Sequence, residues 1–150
     1  QEGVRSRSMK LAALQKTLKA PEVYGAESGD LLIVGWGSTK GAIEEAVDRV
    51  RADGLDVSSL HLKFLQPMAS GIGEILSRFR RVICVEINYS DSPDDSIIDA
   101  DNIRYSNLAW LLRARYLVDV KSWSNVHGQP IKPGDIETMI RDRVNQTVEA

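Results

Sequence analysis

The sequence predicts an α/β fold with three layers, α/β/α, around a mostly parallel mixed sheet of about five strands. One observation is a short apolar run, Leu31 to Val34, that ends at closely spaced glycines and leads into a segment with helical spacing. The run does not alternate with polar residues, as expected of a central strand covered on both faces. A second observation is that strand, helix and strand then repeat along the chain, which is typical of parallel sheets with right-handed crossovers.

A glycine turn follows this central strand. Gly35 and Gly37 allow the backbone to turn sharply, and Ser38 or Thr39 is expected to cap the next helix through its hydroxyl. Because free backbone N–H groups at such a turn suit a phosphate or carboxylate, Gly37, Ser38 and Thr39 form a candidate anion site. A compact, capped turn without a ligand is the simpler interpretation.

Two familiar nucleotide-binding patterns fail at this turn. The dinucleotide pattern G-x-G-x-x-G finds its third glycine, Gly41, one position late, and the next strand ends near Leu62 and Lys63 without an acidic residue. The phosphate-loop pattern fails because Lys40 precedes its glycine. The sequence therefore leaves nucleotide binding unsupported.

The other elements are predicted from hydrophobic periodicity and from glycine and proline boundaries. The predicted helices cover residues 4–19, 42–50, 69–79 and 103–114 and a final stretch from Gly134; Arg80 and Arg81 are expected at the end of the third. The predicted strands cover residues 22–26, 56–65, 82–87 and 116–120, and residues 122–133 are expected to form a loop. Residues 1–20 are interpreted as a linker helix from a preceding domain, and residues 21–150 as the α/β domain.

Composition and charge exclude several classes of protein. With 19 basic and 21 acidic residues and a net charge of -2, the 150-residue chain offers no basic surface for nucleic acid. Its one cysteine, Cys84, excludes a disulfide framework and any multi-thiolate metal or iron–sulfur site, and lies in an apolar run typical of a buried thiol. No stretch is long and apolar enough for a membrane span, so we expect no membrane contact and a cytoplasmic setting.

The sequence contains few candidates for catalytic residues, and none is predicted as catalytic or metal-binding. His61 and His127 lack metal-ligand spacing, and the acidic stretch 91–102 lacks the glycine of a calcium loop and is interpreted as a solvated loop. Glu86 ends an apolar strand and is open to two interpretations, proton transfer or a cap for the following loop, of which the cap is favoured.

Three strand ends are expected to meet at one edge of the sheet. They are residues 35–38, 63–67 and 86–89. Ligand crevices of open α/β sheets lie at the carboxyl ends of the strands, so a ligand or partner is expected at this edge. The residues themselves therefore predict where a site lies, but they do not predict a reaction there.

Four runs in these regions carry a resemblance to a known family. They are GDLLIVGWGSTKGAIEEAV, LHLKFLQPM, RVICVEINYS and GQPIKPGDIETMI, in that order. Over residues 22–143 the chain resembles the C-terminal domain of the α subunit of 2-oxoacid:ferredoxin oxidoreductases, which is similar to the transketolase C-terminal domain. One departure is that the acidic stretch stands where the family has a Gly-Gln pair after its Glu-x-Asn segment.

The resemblance implies a role within a larger enzyme. Such an enzyme oxidatively decarboxylates a 2-oxoacid onto coenzyme A and passes electrons to ferredoxin, using thiamine diphosphate, magnesium and an iron–sulfur cluster. The sequence contains neither the G-D-G…N thiamine motif nor a set of cysteines. We therefore expect that this chain binds none of these cofactors, is inactive alone, and contributes to assembly with the β subunit and the preceding domain. The substrate expected is 2-oxoglutarate in preference to pyruvate. The alternative is a free-standing module that binds a phosphate-like or coenzyme A-like anion at residues 35–39.

Overall fold

The structure is a computed structural model that describes residues 2–145. Five helices and five strands alternate along most of this part of the chain. In chain order they are α1 (Glu2–Thr17), β1 (Val23–Tyr24), β2 (Gly29–Trp36), α2 (Lys40–Ala52), β3 (Val57–Leu62), α3 (Ile72–Ser77), β4 (Phe79–Glu86), α4 (Asn107–Tyr116), β5 (Val120–Ser124) and α5 (Pro133–Asn145). A 3₁₀ turn, Gly37–Thr39, joins β2 to α2.

The strands form one five-stranded sheet in the order β1-β3-β2-β4-β5. The edge strand β1 is antiparallel to β3, and every other neighbouring pair is parallel. This confirms the predicted mixed, mostly parallel sheet, including the short edge strand near its start. No helix in the described part of the chain has the length and apolar character needed to cross a bilayer.

Helices cover both faces of the sheet and produce two separate apolar cores. Leu31 and Ile33 of β2 point to the face covered by α2 and α5, while Leu32 and Val34 point to the face covered by α3 and α4. All four side chains are fully buried, and each such burial is worth about 1.5–3 kcal/mol. The unbroken apolar run therefore reflects a strand between two helical layers, as predicted.

The fourth predicted strand is displaced in the structure. Residues 116–120 were expected to form it, but Tyr116 ends α4, Leu117 follows in a left-handed conformation with φ of 55°, and β5 begins only at Val120. The last three residues of β5 lie in the stretch 122–133, which was expected to be a loop from its two prolines and Gly128. This part of the strand contains two serines. Their hydroxyls are satisfied internally, since that of Ser122 accepts a hydrogen bond from the N–H of Ser106 at 3.0 Å.

Three other boundaries differ from the sequence expectation. Strand β3 ends at Leu62 and leaves Phe64 exposed, and α3 begins at Ile72. Strand β4 begins at Phe79, so Arg80 and Arg81 lie in a strand and not at the end of a helix. Their guanidinium groups are held by a carboxylate on the adjacent strand, which explains why two charged residues open a central strand.

That carboxylate belongs to Asp30 near the start of β2. Arg80 Nε donates to Asp30 Oδ1 at 2.6 Å, Arg81 bonds the other carboxylate oxygen, and Arg81 Nη1 also donates to the carbonyl of Arg143 at 2.6 Å. Burial raises the pKa of Asp30, but the hydrogen bonds from Arg80 and Arg81 outweigh it and hold the pKa below its ordinary value of 3.8. The group thus ties β2, β4 and the end of α5 together.

Replacing this carboxylate, Asp30→Asn, is expected to lower the free energy of unfolding at pH 7 by about 1 kcal/mol, measured by urea denaturation. Because the folded-state pKa is depressed, the stabilisation is present above the ordinary pKa and is lost as the pH falls through the folded value. The free energies of unfolding of Asp30→Asn and of the wild type should therefore become more similar below about pH 4. Glu27→Gln, which removes an exposed partner of Arg78, is the control and should change the free energy of unfolding little. A pH-independent difference for Asp30→Asn would contradict this account.

Candidate functional site

The carboxyl ends of three adjacent parallel strands form the candidate site. The register places Trp36 of β2 opposite Leu62 of β3, and Val34 opposite Cys84 of β4, so the strands end at the same level. The segments after β2, β3 and β4 therefore meet at one edge, as the sequence predicted.

Glu86, the last residue of β4, is the buried charge at this edge, with 1% of its surface exposed. Its Oε1 accepts hydrogen bonds from Trp36 Nε1 at 3.0 Å and from Asn88 Nδ2 at 3.1 Å. Its Oε2 accepts one from the N–H of Leu108, in the first turn of α4, at 2.9 Å. A carboxylate at a helix N-terminus is favourable because it satisfies a free donor and complements the helix dipole.

These contacts confirm the favoured interpretation, in which Glu86 caps the loop that follows it. The partner on β2 and the helix α4 were not predicted, because they lie 50 and 22 residues away in sequence. Both carboxylate oxygens are occupied by donors of the protein itself. The arrangement is therefore structural and does not favour proton transfer to a substrate.

The turn predicted to bind an anion has a different local structure from the one expected. Gly37 has a φ of +62°, Gly37 and Ser38 are exposed, and Thr39 is buried. Neither hydroxyl caps α2: that of Thr39 donates to the carbonyl of Trp36 at 2.9 Å. The cap prediction is wrong because the 3₁₀ turn holds Thr39 in a helical conformation, whereas a capping residue is extended. Anion binding at Gly37, Ser38 and Thr39 stays a prediction.

Gly35 serves packing at this turn. A Cβ atom there would lie 2.3 Å from Ile43 Cδ1 and 2.6 Å from Thr39 Oγ1. The glycine therefore allows α2 to pack closely on β2 immediately after the turn.

The remaining candidate residues are not assembled into a centre. Burial, and next the charge of Glu86, raise the pKa of the Cys84 thiol well above its ordinary value, which is typical of an inert, buried cysteine. His61 is half-buried at the end of β3, and His127 contacts Asn125 in an exposed loop. Within residues 2–145 no three His, Cys, Asp or Glu side chains are grouped to hold a metal ion.

The acidic stretch 91–102 is largely exposed, as predicted, but the carboxylates of Asp91, Asp94 and Asp99 are engaged. The N–H of Arg104 donates to Asp91 Oδ2 at 2.8 Å, and Arg143 Nη2 lies 2.9 Å from Asp94 Oδ2. Asp99 accepts hydrogen bonds from two backbone N–H groups within the stretch. These contacts fasten the loop to the start of α4 and to α5.

Apolar side chains follow each of the three strand ends and remain exposed. Trp36 is 36% exposed, Phe64 48%, Ile87 51% and Tyr89 53%. We call these four residues the sheet-edge patch. Exposed apolar residues at the carboxyl ends of three adjacent strands favour an interaction surface, whereas single ones are ordinary. The sequence expectation missed the patch because it assigned Phe64 to a strand interior.

The role of Glu86 can be tested by Glu86→Gln. An amide has one acceptor oxygen, so its NH₂ group would face the N–H of Leu108 or the donors of Trp36 and Asn88. We expect the free energy of unfolding to fall by about 2 kcal/mol, measured by urea denaturation at pH 7. Glu45→Gln removes an exposed partner of Arg49 and is the matched control, expected to change stability by less than about 0.5 kcal/mol. Equal unfolding midpoints for the two variants would show that the Glu86 contacts contribute nothing.

Comparisons with known proteins identify this architecture. Residues 29–136 match the family described as pyruvate:ferredoxin oxidoreductase core domain II. The 2-oxoglutarate oxidoreductase subunit KorA of Mycobacterium tuberculosis is 36% identical over 112 residues, which are 75% of this chain and 15% of that protein. The α subunit of 2-oxoacid:ferredoxin oxidoreductase 1 of Aeropyrum pernix is 46% identical over 69 residues, 44% of this chain and 11% of that protein.

Solved structures give the same result. The 2-oxoglutarate:ferredoxin oxidoreductase of Magnetococcus marinus, with 2-oxoglutarate, coenzyme A and succinyl-CoA bound, has a TM-score of 0.70 and 26% identity, covering 87% of this chain and 21% of that one. The α chain of a probable 2-oxoacid ferredoxin oxidoreductase of Thermoplasma acidophilum shares the fold, with a TM-score of 0.51 and 19% identity over 83% of this chain and 97% of that one.

The chain thus spans 15% and 11% of the lengths of the two curated relatives. The family match covers most of the α/β domain, from the first residue of β2 into α5. The chain therefore belongs to the pyruvate:ferredoxin oxidoreductase core domain II family, and is a domain of the type found in 2-oxoacid:ferredoxin oxidoreductase α subunits.

Proposed function

We propose that this chain is the non-catalytic C-terminal domain of the α subunit of a thiamine-dependent 2-oxoglutarate:ferredoxin oxidoreductase, and that it contributes to subunit assembly. The observation that carries the proposal is the sheet-edge patch. Ligand crevices of α/β folds lie at this edge, but here the one buried charge, Glu86, is fully hydrogen-bonded within the domain. The edge therefore supports contact with a partner protein and not catalysis by its own side chains.

The chemistry of the sheet-edge patch supports a protein partner. Interface centres are enriched in aromatic side chains and depleted in charge, and three of the four patch residues, Trp36, Phe64 and Tyr89, are aromatic. The Arg104 guanidinium lies 4.5 Å from the centre of the Tyr89 ring, so the border of the patch carries positive charge. An apolar centre with a charged rim is the usual organisation of a specific interface.

The choice of 2-oxoglutarate is supported by the relatives. The M. tuberculosis relative is named a 2-oxoglutarate oxidoreductase subunit, and the M. marinus structure holds 2-oxoglutarate, coenzyme A and succinyl-CoA. For the whole enzyme we propose a β subunit and ferredoxin as partners, and thiamine diphosphate, magnesium and an iron–sulfur cluster as cofactors held outside this chain. A cytoplasmic location stays a prediction.

We also propose that residues 1–20 form a linker from a preceding domain of the same subunit. Helix α1 has no buried residue, and it exposes Val4, Met9, Leu11 and Leu14 to between 39% and 69%. Gln15 Nε2 donates to the carbonyl of Met68 at 2.9 Å, which fastens its final turn to the domain. The uncovered apolar side chains on the rest of the helix support contact with a further domain.

The proposal predicts that Ile87→Asp, introduced into the full α subunit and co-expressed with the β subunit, reduces co-purification of the β subunit at least about tenfold. An added charge at an apolar interface must be desolvated, so assembly should weaken while the domain remains folded. Val126→Asp replaces an apolar residue of similar exposure outside the patch and is the control. Assembly is measured by size-exclusion chromatography, and activity by 2-oxoacid-dependent dye reduction with coenzyme A.

The wild-type complex should reduce the dye with 2-oxoglutarate, and Ile87→Asp should lose activity in proportion to lost assembly. Equal assembly of both variants would overturn the assembly role. Dye reduction with pyruvate but not with 2-oxoglutarate would overturn the substrate assignment. Turnover of a 2-oxoacid by the isolated domain would overturn its non-catalytic status.

A further inference from the structure

A cleft of about 510 Å³ opens beside the edge of the sheet, on the β1 side of the sheet-edge patch. Its walls are the segment between α1 and β1, the first turns of α2, the carboxyl end of β3 and the start of α3. This volume is typical of a small-molecule site. The turn residues Gly37, Ser38 and Thr39 do not line it, whereas the next residue, Lys40, does.

Lysine side chains give the cleft its positive character. Lys19, Lys40 and Lys63 line it, against two carboxylates, Glu22 and Glu44. Lys40 Nζ lies 3.5 Å from Glu44 Oε1, and its side chain remains 52% exposed. Lys63 forms no ion pair with any carboxylate between residues 2 and 145. Lys63 is therefore available to a ligand. Lys40 can bind a ligand by giving up its exposed contact with Glu44 in the same helix.

His61 lines the same cleft as Lys40 and Lys63. Burial lowers the pKa of His61 below its ordinary value of 6.5, Lys40 and Lys63 lower it further, and Glu44 raises it in part. The imidazole therefore stands in a net positive field from residues of two different elements, α2 and the segment after β3. An anion placed between the two ammonium groups would relieve this field.

The lining of the cleft also includes apolar side chains. Phe64, which is 48% exposed, and Leu18 line it. A cleft that combines apolar surface with a few convergent polar groups is the usual form of a binding site for an organic ligand. The arrangement suits a molecule with an anionic group at one end and an apolar or aromatic part at the other.

We propose that this cleft binds a phosphorylated small molecule, with its phosphate groups between Lys40 and Lys63 and its apolar part against Phe64. The site is distinct from the predicted turn site and goes beyond the proposed assembly role. Two flexible, exposed lysines act as point charges on a phosphate, so the affinity is expected to be modest and to fall with added salt.

The first test is calorimetric titration of the chain with inorganic pyrophosphate and with ADP at low ionic strength. Both are expected to bind, ADP more tightly because its ring contacts Phe64. Lys63→Gln should weaken both at least about tenfold. Lys121→Gln, in β5 at the far edge of the sheet, removes an equal charge and should change neither affinity by more than about twofold.

A second readout follows the two histidines by NMR. Saturating pyrophosphate is expected to raise the pKa of the His61 imidazole in wild type without moving the ring signals of His127, and the effect on His61 should be lost in Lys63→Gln. No binding of either probe, equal weakening by the two lysine variants, or an unchanged His61 titration would overturn the proposal. These measurements need no partner subunit. A negative result here would therefore not count against the assembly role, and a negative result in the assembly experiment would not count against this site.

Discussion

The buried carboxylate of Glu86 is the interaction on which the sheet edge depends. It lies at the end of β4 and accepts donors from Trp36 on β2, from the loop after β4 and from the first turn of α4. A buried carboxylate is tolerable only when its oxygens are satisfied, and here all three donors come from the domain. The same contacts fix the indole of Trp36 at the edge and anchor the start of a helix that follows a twenty-residue connection.

Close packing of α2 on β2 near this edge also leaves few polar groups free. Because Gly35 has no side chain, α2 approaches β2 within a few residues of the strand end, and Thr39 is buried with its hydroxyl donating to a backbone carbonyl. Polar groups that serve ligands in other α/β domains are here used to hold elements together. Apolar side chains remain exposed at the edge, next to the lysines of the neighbouring cleft, and this agrees with the proposal that the domain serves a larger enzyme through contact.

Much of the architecture was predictable from sequence because its signals are local. The run Leu31 to Val34 and the stripe Ile43, Ala46, Val47 and Val50 each lie in one element, and both are buried as expected. Strand β5 was misplaced because its polar residues are satisfied by contacts with the distant loop before α4 and with residues after β4. Apart from the Glu86–Asn88 contact, the partners of Glu86 and the clamp at Asp30 join residues 22 to 62 positions apart, and the cleft likewise joins distant segments. No local pattern reports such pairings. The family resemblance, by contrast, rests on ordered motifs in the chain itself, and the comparisons confirmed it.

The central claim is that the carboxyl edge of this sheet is a contact surface in the assembled enzyme. Hydrogen–deuterium exchange of the full α subunit, measured alone and in complex with the β subunit, tests it most directly. The account predicts slower exchange on assembly for the peptides that contain Trp36, Phe64, and Ile87 with Tyr89, and unchanged exchange around the β5 edge at Lys121. Unchanged exchange in all three edge peptides, in a complex that is demonstrably assembled, would contradict it.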